Sequence, residues 1–160
     1  MLTVSTSVAA GVNEDTSGAA LAGAAAGIGA EVVATDVVAD DRAAIEAWLR
    51  AQVAAGADLI LTTGGTGLTP DDVTPEATLA VIDRAIPGLA EAMRAESLRH
   101  TPMSMLSRAV AGAAGESLII NFPGNPKAIA ELFPVVSPVL KHAVGTLHRQ
   151  HGRITPHAGH

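Results

Sequence analysis

A glycine-rich segment is the part of this sequence best suited to chemistry. Residues 62–67 read Thr-Thr-Gly-Gly-Thr-Gly and follow the apolar residues 59–61. Glycines adopt positive φ and leave backbone N–H groups open to a ligand, because no Cβ obstructs the approach. Thr74 then has the features of a helix N-cap, with Pro75 at the first helical position and Glu76 in the first turn. This order predicts an anion-binding loop between a buried strand and a helix, and a purely structural turn is the simpler alternative.

A second loop of the same kind follows another apolar run. Residues 123–127 read Pro-Gly-Asn-Pro-Lys and come directly after the predicted strand 118–122. Asn125 before a proline is an ordinary start for a helix, and the open N–H groups of a helix start also attract anions. Both interpretations, a structural helix start and a ligand-binding turn, stay open for this segment.

The elements that must position these loops are alternating strands and helices. Apolar runs bounded by glycine and polar residues predict strands at 2–5, 31–38, 59–63, 109–114 and 118–122. Helical spacing of apolar residues predicts helices at about 16–26, 75–83, 89–98, 126–132 and 136–148. A further helix is predicted from Asp40 or Asp41 to just before Gly56. Residues 5–16 are expected to form a polar loop.

This alternation predicts the fold class. Strands that alternate with helices over the whole length are typical of an α/β fold, here a three-layer, doubly wound and mostly parallel sheet with helices on both faces. We expect one domain over residues 1–150 and a flexible, polar and histidine-rich tail over 151–160. All loops that leave carboxyl ends of strands are expected to line one rim of the sheet: residues 5–16, 39–41, 64–74 and 123–127.

Composition argues against several classes of function. The 160 residues are 48% hydrophobic and 16% charged, with no cysteine, which indicates a globular domain without a thiolate nucleophile or a zinc–thiolate site. A net charge of −6 argues against nucleic acid as a partner. No apolar stretch reaches the roughly 20 residues of a membrane span, and the first residues do not resemble a signal peptide. We therefore expect a cytoplasmic protein that does not enter a membrane.

Two common nucleotide-binding motifs do not fit. Residues 23–29, Gly-Ala-Ala-Ala-Gly-Ile-Gly, imitate the glycine pattern of nicotinamide-dependent dehydrogenases. Such a loop follows a strand and opens a helix, whereas this segment closes a predicted helix and enters a strand. The glycine loop at residue 64 lacks the Gly-Lys-Ser/Thr ending of a P-loop. An oxidoreductase is therefore the least favoured function.

Five segments, taken together in their order along the chain, resemble the molybdopterin-binding MogA/MoaB family. They are Glu-Asp-Thr-Ser-Gly at 14–18, the glycine loop at 62–67, Asp-Val-Thr-Pro-Glu-Ala-Thr at 72–78, Leu-Ser-Arg at 106–108 and Asn-Phe-Pro-Gly-Asn-Pro-Lys at 121–127. The resemblance runs from the first strand to about residue 147. It implies an α/β homo-oligomer, with a trimer favoured, that binds molybdopterin.

For catalytic members of that family, the resemblance implies transfer of AMP from Mg-ATP to the terminal phosphate of molybdopterin, with release of pyrophosphate before molybdate insertion. ATP and molybdopterin would be substrates, Mg²⁺ the cofactor and a molybdate-inserting protein a further partner. Because the reaction joins two anions, the catalyst must neutralise charge and hold the phosphates in line. Carboxylates that hold Mg²⁺ suit this task. A noncatalytic molybdopterin-binding or assembly protein on the same fold is the alternative.

The resemblance also assigns site residues. Asp72 and Asp40 match the acidic positions tied to catalysis and metal binding. The plainer alternatives are that Asp72 binds the loop backbone, a role compatible with catalysis, and that Asp40 caps a helix. Arg108 has the plain interpretation of a solvated charge. The amides of the glycine loop would hold phosphate, and the remaining residues the pterin or its phosphate. The expected substrate-binding residues are Thr63, Gly64, Gly65, Thr66, Gly67, Ser107, Pro123, Gly124, Asn125 and Lys127.

The chain departs from the family pattern at two places. Asp71 stands where relatives carry a basic residue, and residues 5–7 read Ser-Thr-Ser where relatives have a polar or charged run. Loss of a cation beside the loop removes phosphate attraction and places two carboxylates side by side. We expect stronger metal binding and weaker pterin affinity as a result.

Overall fold

Six strands and six α-helices, with one 3-10 helix, follow one another in the computed structural model, which describes residues 1–149. The elements are β1 Leu2–Val4, α1 Thr6–Ala9, α2 Thr16–Gly27, β2 Asp36–Val38, α3 Arg42–Ala54, β3 Leu59–Thr63, α4 Thr74–Val81, β4 Arg84–Ala85, α5 Pro87–Leu98, the 3-10 helix Pro102–Leu106, β5 Ala111–Ala114, β6 Ser117–Phe122 and α6 Pro126–Leu147. The predicted tail over residues 151–160 lies outside the described residues.

The strands form one mixed sheet in the order β2-β1-β3-β6-β5-β4. Strands β2, β1, β3 and β6 are parallel to one another. Strand β5 pairs in the antiparallel sense with both β6 and β4. The sheet grows in one direction from β1 to β2 and in the other from β1 to β3, so the switch of winding direction falls between β1 and β3. Loops that leave the carboxyl ends of such strands form the crevice where ligands bind in open α/β sheets.

The central strands supply hydrophobic clusters on both faces of the sheet, because successive side chains of a strand point to opposite sides. Leu61 and Ile120 belong to a cluster that includes residues of α2, α5 and α6. Ile60 and Ile119 belong to a second cluster, with residues of α3 and α4. The predicted three-layer arrangement with a mostly parallel sheet is confirmed.

Helix α6 is a single helix, so the prediction of two separate helices over 126–132 and 136–148 is wrong. Pro134 and Pro138 lie inside it, although an interior proline costs about 3 kcal/mol or more. A continuous inward face offsets that cost, since each fully buried large apolar side chain contributes about 1.5–3 kcal/mol. By length and composition alone, α6 is the one helix within residues 1–149 that qualifies as a membrane span, but its inward residues pack in the core: Ile129, Leu132, Phe133, Val136 and Leu140.

Several other boundaries differ from the predicted ones. The second strand covers only Asp36–Val38 rather than 31–38, and most of the residues before it are exposed and unpaired with the sheet. The loop predicted over 5–16 contains the short helix α1, whose N-cap Ser5 accepts a hydrogen bond from the Val8 N–H. The two-residue strand β4 was not predicted, because two residues carry no periodic signal. Gly23 lies inside α2, which agrees with the exclusion of a dinucleotide-binding loop.

Candidate active site

The glycine loop after β3 has the backbone conformation that its sequence predicts. Gly64 and Gly65 have positive φ, 97° and 66°. The Thr74 hydroxyl donates to the Gly64 carbonyl oxygen at 2.9 Å, and the Thr74 N–H donates to the Gly65 carbonyl oxygen at 3.1 Å. The prediction of Thr74 as the N-cap of α4 is therefore wrong: Val73 occupies that position without a side-chain bond. Thr74 instead ties the first turn of α4 back onto the loop.

Three consecutive amides of this loop are open to a ligand. The Gly64 N–H donates to the Phe122 carbonyl oxygen at 3.0 Å, so the prediction that it binds phosphate is wrong. The N–H groups of Gly65, Thr66 and Gly67 have no hydrogen-bond partner within the described residues. A run of open amides in a glycine-rich turn forms a concave site for anions.

The loops predicted to share one rim are in contact. Gly64 packs so closely against the Val4 carbonyl oxygen that a Cβ would overlap it, and a Cβ on Gly124 would lie 3.2 Å from the Gly64 Cα. The Thr63 hydroxyl donates to the Pro123 carbonyl oxygen at 2.8 Å. The ends of β1, β3 and β6 therefore meet at the glycine loop.

The two candidate aspartates are held in the same way. Asp72 Oδ2 accepts hydrogen bonds from the N–H and the hydroxyl of Thr69, both at 2.8 Å. Asp40 Oδ2 accepts bonds from the N–H and the hydroxyl of Thr6, at 2.9 and 2.8 Å. Neither Oδ1 has a protein partner within residues 1–149. Each carboxylate is thus oriented through one oxygen and offers the other to a cation.

The alternative role of Asp40 as a helix cap is excluded by its neighbour. Asp41 is the N-cap of α3, and its Oδ1 accepts a hydrogen bond from the Ala44 N–H at 2.8 Å. Asp40 therefore does not cap α3. Instead, it links the loop after β2 to the loop after β1 through its hydrogen bond with Thr6.

A cavity of about 470 Å³ lies beside the glycine loop, on the side of α5 and the 3-10 helix. Six of the predicted site residues line it: Thr66, Gly67, Asp72, Ser107, Pro123 and Asn125. The others do not line it, although several support the loops around it: Asp40, Thr63, Gly64, Gly65, Gly124 and Lys127. Its remaining wall is largely apolar and includes Ala90, Met93, Met103, Leu106 and Leu132.

Asn125 and Lys127 lie at the start of α6. Asn125 caps α6, and its Oδ1 accepts a hydrogen bond from the Lys127 N–H at 2.9 Å, so that N–H is not open to an anion. The Lys127 side chain is 82% exposed, and its ammonium nitrogen lies 3.9 Å from Glu131 Oε1. The interpretation of residues 123–127 as a helix start is confirmed, and within it Asn125 also lines the cavity.

Arg108 supports the site but was not among the predicted site residues, although the segment 106–108 belongs to the family pattern. Its Nε donates to the Gly67 carbonyl oxygen at 2.8 Å and its Nη2 to the Asp72 carbonyl oxygen at 2.6 Å. Its Nη1 forms an ion pair with Glu76, and its own N–H donates to the Thr66 carbonyl oxygen at 2.9 Å. The interpretation of Arg108 as a solvated charge is wrong, because its guanidinium joins the end of the glycine loop to the Asp72 backbone and to Glu76.

Comparison with known proteins identifies the family. A family model described as "Probable molybdopterin binding domain" matches residues 1–142. This chain belongs to that family. The predicted resemblance is confirmed, and the cavity described above is the candidate active site of a molybdopterin-binding domain.

Known proteins resemble this molybdopterin-binding domain both in sequence and in structure. The chain is 44% identical over 110 residues to molybdopterin adenylyltransferase of Helicobacter pylori strain J99, a match that covers 68% of this chain and 62% of that protein. It is 51% identical over 98 residues to molybdopterin adenylyltransferase of Haemophilus influenzae, covering 61% of this chain and 50% of that protein. The molybdopterin biosynthesis enzyme MoaB of Thermus thermophilus is 48% identical, with a TM-score of 0.86, over 91% of this chain and 92% of that one.

The ion pair beside the glycine loop makes the stability of this molybdopterin-binding domain depend on pH. The Arg108 guanidinium lowers the pKa of Glu76 below its ordinary value of 4.5, and partial burial opposes the shift less strongly. Above that value the carboxylate is charged in the folded and the unfolded chain, and the pair stabilises the fold. As the pH falls below 4.5, Glu76 is protonated in the unfolded chain before it is protonated in the folded chain. The stabilisation therefore decreases until the pH has passed the lower pKa of Glu76 in the folded chain.

We expect Glu76→Gln to remove this pH dependence. The two side chains are 35% and 38% exposed, so water weakens the pair and the variant should lose about 1 kcal/mol or less at pH 7. The difference from the parent chain should shrink as the pH falls from about 5 to about 3. Urea unfolding at a series of pH values measures it, with the exposed Glu91→Gln as the control. A difference that stays constant with pH would contradict this role of Glu76.

Proposed function

We propose that this chain is a molybdopterin adenylyltransferase. In this reaction an oxygen of the terminal phosphate of molybdopterin attacks the α-phosphorus of ATP. A new P–O bond forms there, the bond from the α-phosphorus to the bridging oxygen breaks, and pyrophosphate leaves. The observation that carries the proposal is the placement of the open amides of Thr66 and Gly67 and the oriented Asp72 at one cavity, beside the carboxyl ends of β3 and β6.

The loop residues would neutralise and position the phosphates. The amides of Gly65, Thr66 and Gly67 present three donors that need no rearrangement, which is the feature that makes preorganised donors effective for developing charge. Arg108 keeps that loop in place through the Gly67 and Asp72 carbonyl oxygens. The apolar wall of the cavity would exclude water from the reacting phosphates and accept the flat face of the pterin.

Asp72 and Asp40 would hold the magnesium ion of Mg-ATP. Each offers one carboxylate oxygen without a protein partner, which fits an ion that prefers oxygen ligands and is held by one or two carboxylates together with substrate phosphates and water. No group of three or more acidic or histidine side chains suited to a metal occurs within residues 1–149, so substrate oxygens would complete the coordination. When bound, magnesium would neutralise phosphate charge and orient the triphosphate.

Release of pyrophosphate from Mg-ATP in the presence of purified molybdopterin tests the proposal. We expect pyrophosphate and adenylyl-molybdopterin to form in equal amounts, and neither to form when molybdopterin or magnesium is left out. Tight binding of molybdopterin without consumption of ATP would select the noncatalytic binding or assembly protein instead. Absence of both binding and turnover would reject both functions.

We further propose a homotrimer located in the cytoplasm, whose product is passed to a molybdate-inserting protein. Three exposed apolar side chains line the cavity, Leu68, Met103 and Leu106, and the exposed Met105 lies on the same 3-10 helix. These four side chains would suit contact with a further copy. Light scattering should give a mass three times the 16.1 kDa of one chain, and a monomer at micromolar concentration would reject the trimer. Cell fractionation and a coupled molybdate-insertion assay test the location and the partner.

A further inference from the structure

The cavity beside the glycine loop contains a cation that forms no ion pair within the described residues. Arg94 lies on α5 and lines the cavity together with Thr66, Gly67 and Asp72. Its guanidinium forms one hydrogen bond to the described part of the chain, from Nη1 to the Ala109 carbonyl oxygen at 3.0 Å. A guanidinium has five N–H donors in a planar fork, so most of the hydrogen-bonding capacity of Arg94 is available to a ligand.

Arg94 differs in this respect from other arginines of the chain. Four of them contact a carboxylate: Arg50 with Glu46, Arg84 with Asp83, Arg99 with Glu96, and Arg108 with Glu76. Arg94 is half-buried, and its neighbours in the cavity include the apolar Ala90, Met93 and Leu132. A charge in such surroundings is costly without a partner, and an anionic ligand would supply one.

Hydroxyl groups accompany Arg94 in the cavity wall. Ser97, Thr101, Ser104 and Ser107 all line the same space. Ser104 is only 6% exposed, and its Oγ has no hydrogen-bond partner within residues 1–149. A buried polar group without a partner costs about 1–3 kcal/mol, so an oxygen-rich ligand in this cavity would relieve a second unsatisfied group as well.

The backbone of Ala109 places Arg94 next to a predicted substrate-binding residue. The Ala109 carbonyl oxygen accepts the bond from Arg94, and the Ala109 N–H donates to Ser107 Oγ at 3.4 Å. Because Ser107 Oγ accepts that bond, its hydroxyl proton is free to be donated to a ligand. Arg94 and Ser107 thus converge from two elements, α5 and the end of the 3-10 helix.

We infer that Arg94 binds a phosphate group of a substrate, with the hydroxyls of Ser104 and Ser107 as additional donors. This inference rests on the proposed function, in which both ATP and molybdopterin carry phosphate. The guanidinium fork matches two phosphate oxygens at once. The chain has a net charge of −6, and both Asp71 and Asp72 follow the glycine loop. A phosphate that approaches this rim therefore needs a cation, which Arg94 supplies from α5.

The test compares substrate binding to the parent chain and to Arg94→Gln by titration calorimetry. Glutamine can still donate to the Ala109 carbonyl oxygen, but the charge and the fork are absent. We expect a loss of affinity of about tenfold to a hundredfold for molybdopterin or for a nonhydrolysable ATP analogue, and the affected substrate identifies the source of the phosphate. Arg94→Lys keeps the charge without the fork and should give an intermediate affinity.

The control is Arg99→Gln, since the Arg99 side chain is 77% exposed and does not line the cavity. Inorganic phosphate should also shift the Nε–Hε NMR signal of Arg94 in the parent chain, a result that does not depend on turnover. Equal affinities of Arg94→Gln and the parent chain for both substrates, or an unshifted signal, would overturn the inference. Binding that depends on Arg94 without pyrophosphate release would support it and reject the proposed function.

Discussion

Replacement of Asp72 by asparagine should lower the rate of pyrophosphate release by about a hundredfold or more, the range seen when a preorganised charge-stabilising group is removed from an active site. Both Thr69 bonds are accepted by the single oxygen Oδ2, so the amide oxygen of asparagine can keep them. The other position then carries an NH₂ group, which cannot bind a cation. The loop should therefore keep its shape while the magnesium ligand is lost.

The measurement that checks this expectation is steady-state pyrophosphate release over a range of magnesium concentrations. The variant should need more magnesium for half-maximal rate, and its melting temperature should stay close to that of the parent chain. Asp71→Asn is the matched control: it removes the same charge at the adjacent, exposed position without touching the Thr69 bonds. Equal losses of activity in the two variants would show that net charge near the loop, rather than Asp72, is responsible.

Signals confined to short stretches of sequence predicted most of the fold. Strand β3 has the predicted bounds, because an apolar run followed by two threonines and then glycines is a local pattern. Asp41 caps α3 for the same reason, since the capping carboxylate and the N–H group that donates to it lie three residues apart. The convergence of the loops at one rim followed from the order of strands and helices, as parallel strands present their carboxyl ends together.

Such local patterns could not predict interactions between loops that are distant in sequence. Arg108 bonds to a carbonyl oxygen 41 positions earlier, and Thr6 bonds to an aspartate 34 positions later. Neither pair has a spacing that marks it, because the contact exists only after the strands align. Thr74 shows the same limit: its sequence context is that of an N-cap, but its hydroxyl donates a hydrogen bond to the Gly64 carbonyl oxygen.

Gly64→Ala should destabilise the fold by roughly 4 kcal/mol or more, among the larger effects of a single substitution. The residue has a φ of 97°, which costs an alanine about 1–2 kcal/mol. The added Cβ would also overlap the Val4 carbonyl oxygen, and backbone on both sides is fixed by the pairing of β1 with β3. Relief requires the glycine loop to move away from β1, which would displace the open amides of Gly65 and its neighbours.

Gly56→Ala separates the two causes, because Gly56 has a φ of 79° but a Cβ there meets nothing within 4 Å. It should cost only about 1–2 kcal/mol. Urea unfolding of both variants gives the comparison, and the melting temperature of Gly64→Ala should fall by roughly 10 °C or more. If the two variants were equally stable, the close approach of β1 to the glycine loop would not constrain the site. A larger loss in Gly64→Ala, together with weaker phosphate binding, means that the end of β1 holds the anion-binding loop in place.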